Sequence, residues 1–85
     1  MDLRHLEIVR EVADAGSFTA AAQRLHVSQS AISRQVLLLE EELGEPIFMR
    51  LGRRVKLTTT GQALLDLSRR VLADVRATTE AIARV

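Results

Sequence analysis

The stretch from Ser17 to Leu43, SFTAAAQRLHVSQSAISRQVLLLEEEL, constrains this chain most, because it reads as two helices meeting at a tight corner. Ser17 stands where an N-cap is needed, since a hydroxyl there accepts from the free backbone N–H groups of the first turn. Phe18, Ala21, Ala22 and Leu25 then recur at helical spacing. His26-Val27 makes the corner, and Ser28 caps a second helix that opens Gln29-Ser30-Ala31-Ile32-Ser33-Arg34. Ala21 and Ala22 are small enough for two helices to cross closely, with Val27 expected to plug the gap. Many such corners use Gly for its freedom at positive φ, whereas this one has His26, a side chain that tolerates the left-handed region better than most. The pattern predicts a helix-turn-helix, whose second helix enters a major groove by its N-terminal end.

The side chains at that leading end carry the functional signal. Gln pairs bidentately with adenine, Arg with guanine, and Ser with groove edges or phosphates. The competing reading is a helical hairpin whose Gln, Ser and Arg are merely solvated. Two Ser caps, paired alanines and a Val at the corner together favour DNA.

Around this core the chain builds a wing and a long helix. Asp2 caps a first helix with Leu3, Leu6, Val9, Val12 and Ala13 along one stripe, closed by Gly16. On the third helix Ile32, Val36, Leu39 and Leu43 keep the inward spacing, leaving Ser30, Ser33, Arg34 and Leu37 outward. Leu37 is the odd member, and either folds back beside Leu38 or meets the duplex backbone. Gly44 ends this helix, and Pro46 forces Glu45 out of the α region. Ile47-Phe48-Met49-Arg50 and Val55-Lys56-Leu57 then pair across Leu51-Gly52-Arg53-Arg54, placing Arg53 and Arg54 at the tip of a wing. Arg at such a tip suits a minor groove or a phosphate.

Thr58 or Thr59 caps a last helix on which Leu64, Leu67, Val71, Val75, Thr78, Ile82 and Val85 repeat at steps of three and four, with Leu65 and Leu72 beside them. At ~1.5 Å per residue this helix is ~39 Å long, against a radius of gyration near ~12 Å for a compact chain of this size. It therefore overhangs its own domain, and a second copy is the simplest partner for its stripe. The periodic pattern is still running at Val85, so a piece of a longer protein is expected.

Composition removes other classes. The chain has no cysteine and only two histidines, so neither a disulfide framework nor a metal-ligand spacing exists, and a reducing cytoplasm fits. No apolar run approaches the ~20 residues of a membrane span. No Gly-rich phosphate loop or acidic pair supports an enzyme, and no cofactor is expected. Without Trp or Tyr there is no platform for stacking single-stranded bases. Net charge is only +1, yet Arg50, Arg53, Arg54 and Lys56 fall together without an acid, just after the cluster Glu40, Glu41, Glu42 and Glu45. That segregation gives a basic edge and an acidic back. A winged-helix interaction module that binds no nucleic acid remains the alternative class, and would more often carry an apolar patch where this chain has a polar, capped helix start.

The sequence resembles the N-terminal domain of LysR-type transcriptional regulators over essentially its whole length. The resemblance is carried by Asp2-Leu3-Arg4-His5-Leu6, Gly16-Ser17-Phe18-Thr19-Ala20-Ala21-Ala22, Leu25 to Ser33, Leu39-Glu40-Glu41-Glu42-Leu43-Gly44, Ile47-Phe48-Met49-Arg50 and Leu57-Thr58-Thr59-Thr60-Gly61. It implies a mainly α fold, a winged helix-turn-helix of three helices and a two-stranded wing over residues 1–58, and a linker and dimerisation helix over 59–85. It places Gln29, Ser30, Ser33 and Arg34 at base-reading positions and Arg53 at the minor groove. Thr19, Ser28, Arg54 and Lys56 are read as accompanying wing or phosphate contacts. The resemblance further implies a homodimer through Leu64, Leu67, Val71, Val75 and Ile82, double-stranded DNA with an imperfect inverted repeat as partner, and a small-molecule co-inducer bound only in a C-terminal domain outside this sequence. Two positions depart from the family pattern: Ser30, where many members have Pro, and Leu37, where a polar or basic residue is common. An internal Glu40–Arg50 ion pair is expected, which would remove Arg50 from the DNA contacts.

Overall fold

A computed structural model describes residues 1–85 as four helices and one hairpin, and every helix starts at a side-chain cap. Helix α1 (Leu3–Ala15) begins at Asp2, whose carboxylate accepts from the His5 N–H at 2.9 Å while the His5 ring accepts from the Asp2 N–H at 3.3 Å. The His5 N–H holds the Asp2 carboxyl below the usual carboxylate range. With Nδ1 accepting, the ring proton sits on Nε2, which reaches Gln35 Oε1 at 3.1 Å and ties α1 to the third helix. Helix α2 (Phe18–Leu25) is capped by Ser17 accepting from the Ala20 N–H at 3.0 Å, and α3 (Gln29–Leu43) by Ser28 accepting from the Ala31 N–H at 3.1 Å. Thr58 caps α4 (Thr59–Ala83) through the Gly61 N–H, deciding between the two threonines that local pattern left open.

The corner of the helix-turn-helix is a Schellman turn. His26 takes φ 56°, the only non-glycine residue at positive φ. Its N–H reaches the Gln23 carbonyl at 3.3 Å, and the Val27 N–H reaches the Ala22 carbonyl at 3.0 Å. The backbone of Val27 therefore closes the corner. Its side chain is 37% exposed and, instead of plugging a gap between α2 and α3, lines a surface groove with Ile8, Ala31 and Ile32.

Ile8, Val9, Val12, Phe18, Ala21, Ala22, Ile32, Val36, Leu39, Ile47, Phe48 and Leu64 form one buried cluster drawn from all four helices and the wing. Leu3 and Leu43, expected to face inward, are exposed at the outer ends of their helices, while Ile8, outside the expected stripe, is buried in the core.

The wing keeps the expected register but runs one pair further toward the turn. Strand β1 (Phe48–Leu51) pairs antiparallel with β2 (Arg54–Leu57), Phe48 opposite Leu57 and Leu51 opposite Arg54. The turn is only Gly52-Arg53, with Gly52 at φ 66°, because Gly first in a two-residue loop allows the tightest hairpin. Arg53 alone is thus at the tip, and Arg54 belongs to the strand. A lone two-stranded ribbon is marginal in water. This one is held by buried Phe48, half-buried Val55 and Leu57, and a bond from the Val55 N–H to the Gly16 carbonyl at 3.0 Å.

Helix α4 has two unlike halves. Gly61, Leu64, Leu65 and Ser68 are buried, and the Ser68 hydroxyl returns to the Leu64 carbonyl at 2.8 Å. Arg69 meets Asp14 of α1 at 3.0 Å. From Ala73 onward every residue is exposed, and the molecule is drawn out to 48 × 26 × 18 Å.

Candidate nucleic-acid interface

The first turn of α3 projects from the domain with Gln29, Ser30 and Arg34 exposed and Ser33 half-buried. Its polar groups are pre-ordered along the helix. The Gln29 amide donates to Ser33 Oγ at 3.0 Å, and the Ser28 and Ser30 hydroxyls lie 3.2 Å apart. Each of these is a single bond from a group with further capacity, so a base edge can be met with little loss.

Two grooves flank this turn. The one between the α1–α2 corner and the wing, about 520 Å³, is lined by Ser17, Thr19, Gln29, Arg50, Arg53 and Arg54 among others. The other, about 430 Å³, lies between α3 and β1 and includes Ser33, Arg34, Leu37, Glu40 and Arg50. The expected contacts Thr19, Gln29, Arg53 and Arg54 thus share one groove, and Ser33 and Arg34 the other. Ser28 and Ser30 are exposed at the helix start, while Lys56 is exposed on β2 opposite Met49 and borders neither groove. Leu37 is 54% exposed on the wall of the second groove and does not fold back against the domain.

The charges on this face are left free. Arg34, Arg50, Arg53, Arg54 and Lys56 have no carboxylate within 4.0 Å, whereas Arg4, Arg10, Arg24 and Arg69 each pair with Glu7, Glu11 or Asp14 on other faces. Cations without local acids give the wing side the positive potential that attracts a polyanion.

The expected Glu40–Arg50 pair does not form. The Glu40 carboxylate accepts from the Ile47 N–H at 2.7 Å, fastening the chain after Pro46 to α3. Arg50 instead stacks on the Phe18 ring, 4.4 Å from its centroid. A backbone N–H left without a strand partner draws the carboxylate more effectively than a guanidinium already resting on an aromatic face.

The helix-turn-helix pattern of bacterial regulatory proteins of the lysR family matches residues 3–62. The chain belongs to this family. It is 43% identical over 76 residues to the HTH-type transcriptional regulator TfdT of Cupriavidus pinatubonensis, covering 89% of this chain and 33% of TfdT. It is 42% identical over 76 residues to the RuBisCO operon transcriptional regulator of Allochromatium vinosum, covering 89% of this chain and 25% of that protein. The chain therefore spans only a part of these relatives. Among solved LysR-family structures, the CbnR DBD–DNA complex superposes with a TM-score of 0.86 at 40% identity, covering 99% of this chain and 95% of that one. The BenM DBD complex with catB site 1 DNA gives a TM-score of 0.93 at 37% identity, covering 99% and 93%.

The expected dimer face needs one correction. Leu64 is 7% exposed and belongs to the core of its own chain, because the first turns of α4 are docked on the domain. Leu67 and Val71 are half-buried, and Val75 and Ile82 lie exposed on the projecting half.

Proposed function

We propose that this chain is the DNA-binding part of a longer LysR-type transcriptional regulator, with residues 1–58 as the winged helix-turn-helix and 59–85 as the linker helix. Gln29, Ser30, Ser33 and Arg34 read base edges in a major groove, Arg53 reaches an adjacent minor groove, and Thr19, Ser28, Arg54 and Lys56 meet the sugar-phosphate backbone. Two copies joined through Leu67, Val71, Val75 and Ile82 present two such surfaces to an imperfect inverted repeat in the cytoplasm. This reading assigns the chain no catalytic residue, cofactor or metal, and leaves a co-inducer to sequence beyond Val85.

The observation that carries it is the exposed polar first turn of α3 set beside arginines that have no acidic partner. Likeness to CbnR and BenM domains solved on DNA supports it. The test is selection of preferred duplexes from a random pool, followed by titration of Arg34→Ala. The substitution should weaken binding to the selected duplex by ~1–3 kcal/mol and relax preference at one base pair per half-site. Equal losses on selected and random duplexes would reduce Arg34 to a backbone contact, and no selection from the pool would remove the reading altogether.

A further inference from the structure

The chain has two phenylalanines and no Trp or Tyr; Phe18 lies beneath one arginine and Phe48 packs against Phe18. The Arg50 guanidinium rests on the Phe18 ring, 4.4 Å from its centroid, and Phe18 meets Phe48 edge-on with centroids 5.8 Å apart. Phe18 and Phe48 are buried at the head of α2 and the start of β1, so this platform is fixed to the core. Arg50 is exposed, accepts no ion pair, and spends none of its N–H groups on the protein. It also stands between the two grooves, one walled by Gln29 and the other by Ser33 and Arg34.

We propose that Arg50 is a phosphate clamp of the DNA surface, an inference that rests on the DNA-binding reading above. A guanidinium held over a ring by a cation–π contact keeps for a phosphate the N–H groups that bond nothing in the protein, and a phosphate can take two of them in parallel. Because the stack already fixes the side chain, little rotamer freedom remains to be lost on binding. From its place between the grooves, Arg50 takes the backbone phosphate next to the bases read by Gln29 on one side and Arg34 on the other. It thereby sets how deeply α3 enters.

The test titrates the 85-residue chain and its Arg50→Met and Arg50→Lys variants against a selected duplex and a mixed-sequence duplex at several salt concentrations. Methionine keeps Phe18 covered without charge, so thermal melting should stay close to the parent. Arg50→Met should lose about tenfold or more in affinity on both duplexes, with the salt slope reduced by about one. Arg50→Lys should keep the slope but bind more weakly than the parent, since an ammonium makes no bidentate contact. A salt slope unchanged in Arg50→Met, or a loss confined to the selected duplex, would overturn the clamp. If the Arg34→Ala variant still loses sequence preference in that event, the DNA-binding reading stands and only the role of Arg50 falls.

Discussion

Gly61 in the first turn of α4 lies directly against the carbonyl oxygen of Ile47. A Cβ at position 61 would overlap that oxygen and come within 2.8 Å of Leu57 Cδ2. The absence of a side chain is what lets α4 dock on the chain leaving α3, where the Thr58 hydroxyl also donates to the Pro46 carbonyl at 2.7 Å. Overpacking of ~1–3 kcal/mol, at its upper end because the clash is with backbone, outweighs the ~1 kcal/mol gained in helix propensity, so Gly61→Ala should destabilise the fold by ~1–2 kcal/mol. Urea unfolding measures it, and a midpoint at or above the parent's would mean that α4 docks with slack.

His26 pays for its left-handed conformation at φ 56°. Since a non-glycine residue there costs ~1–2 kcal/mol and Gly loses ~0.5–1 kcal/mol more chain entropy on folding, His26→Gly should stabilise by about 0.5–1 kcal/mol. A rise of a few degrees in Tm is the expected result. A lower Tm would assign the imidazole a stabilising contact that outweighs the strain.

Arg53 is the only arginine in the two-residue turn of the wing. Arg53→Ala should weaken binding and lower the salt slope by about one if the side chain meets a phosphate. If it enters a narrow minor groove, the loss should instead track the A·T content flanking each half-site. Unchanged affinity across all duplexes would make the wing tip a solvated loop.

The projecting half of α4 offers a cleaner test of pairing than its docked half. Val75 is exposed in the single chain, so Val75→Glu leaves the monomer fold intact but would bury an unpaired carboxylate between two copies. Sedimentation should show monomers with undiminished helix content by circular dichroism, and affinity for a two-half-site duplex should fall by about a hundredfold or more. A variant that still sediments as a dimer would move the contact to another face.

What was legible in the sequence was local. Asp2, Ser17, Ser28, Gly16 and Gly44 each act within a few residues of where they stand, and each does what its type and position predict. Arg50 was misread because its partner is Phe18, over thirty positions away, and no spacing rule links a strand residue to the head of α2. Leu64 and Leu67 look alike in a heptad-like stripe, but only docking on α1 decides that the first is core. The hairpin gained its last pair, Leu51 with Arg54, for a related reason. Both a four-residue and a two-residue turn suit Leu51-Gly52-Arg53-Arg54, and the bond from Val55 to Gly16 belongs to the tertiary fold.

Because α4 is one unbroken helix of 25 residues, the stretch from Ala73 to Ala83 continues the docked part without a joint and stands off the domain as an arm about 16 Å long. A tilt of about ten degrees where the helix leaves the domain carries the tip through about 3 Å, close to one step of the DNA ladder along one strand. In the dimer proposed above, the angle between the two arms would set the separation of the two α3 helices. Half-site spacing would then be tuned from a distance, with no residue of the proposed reading surface changed.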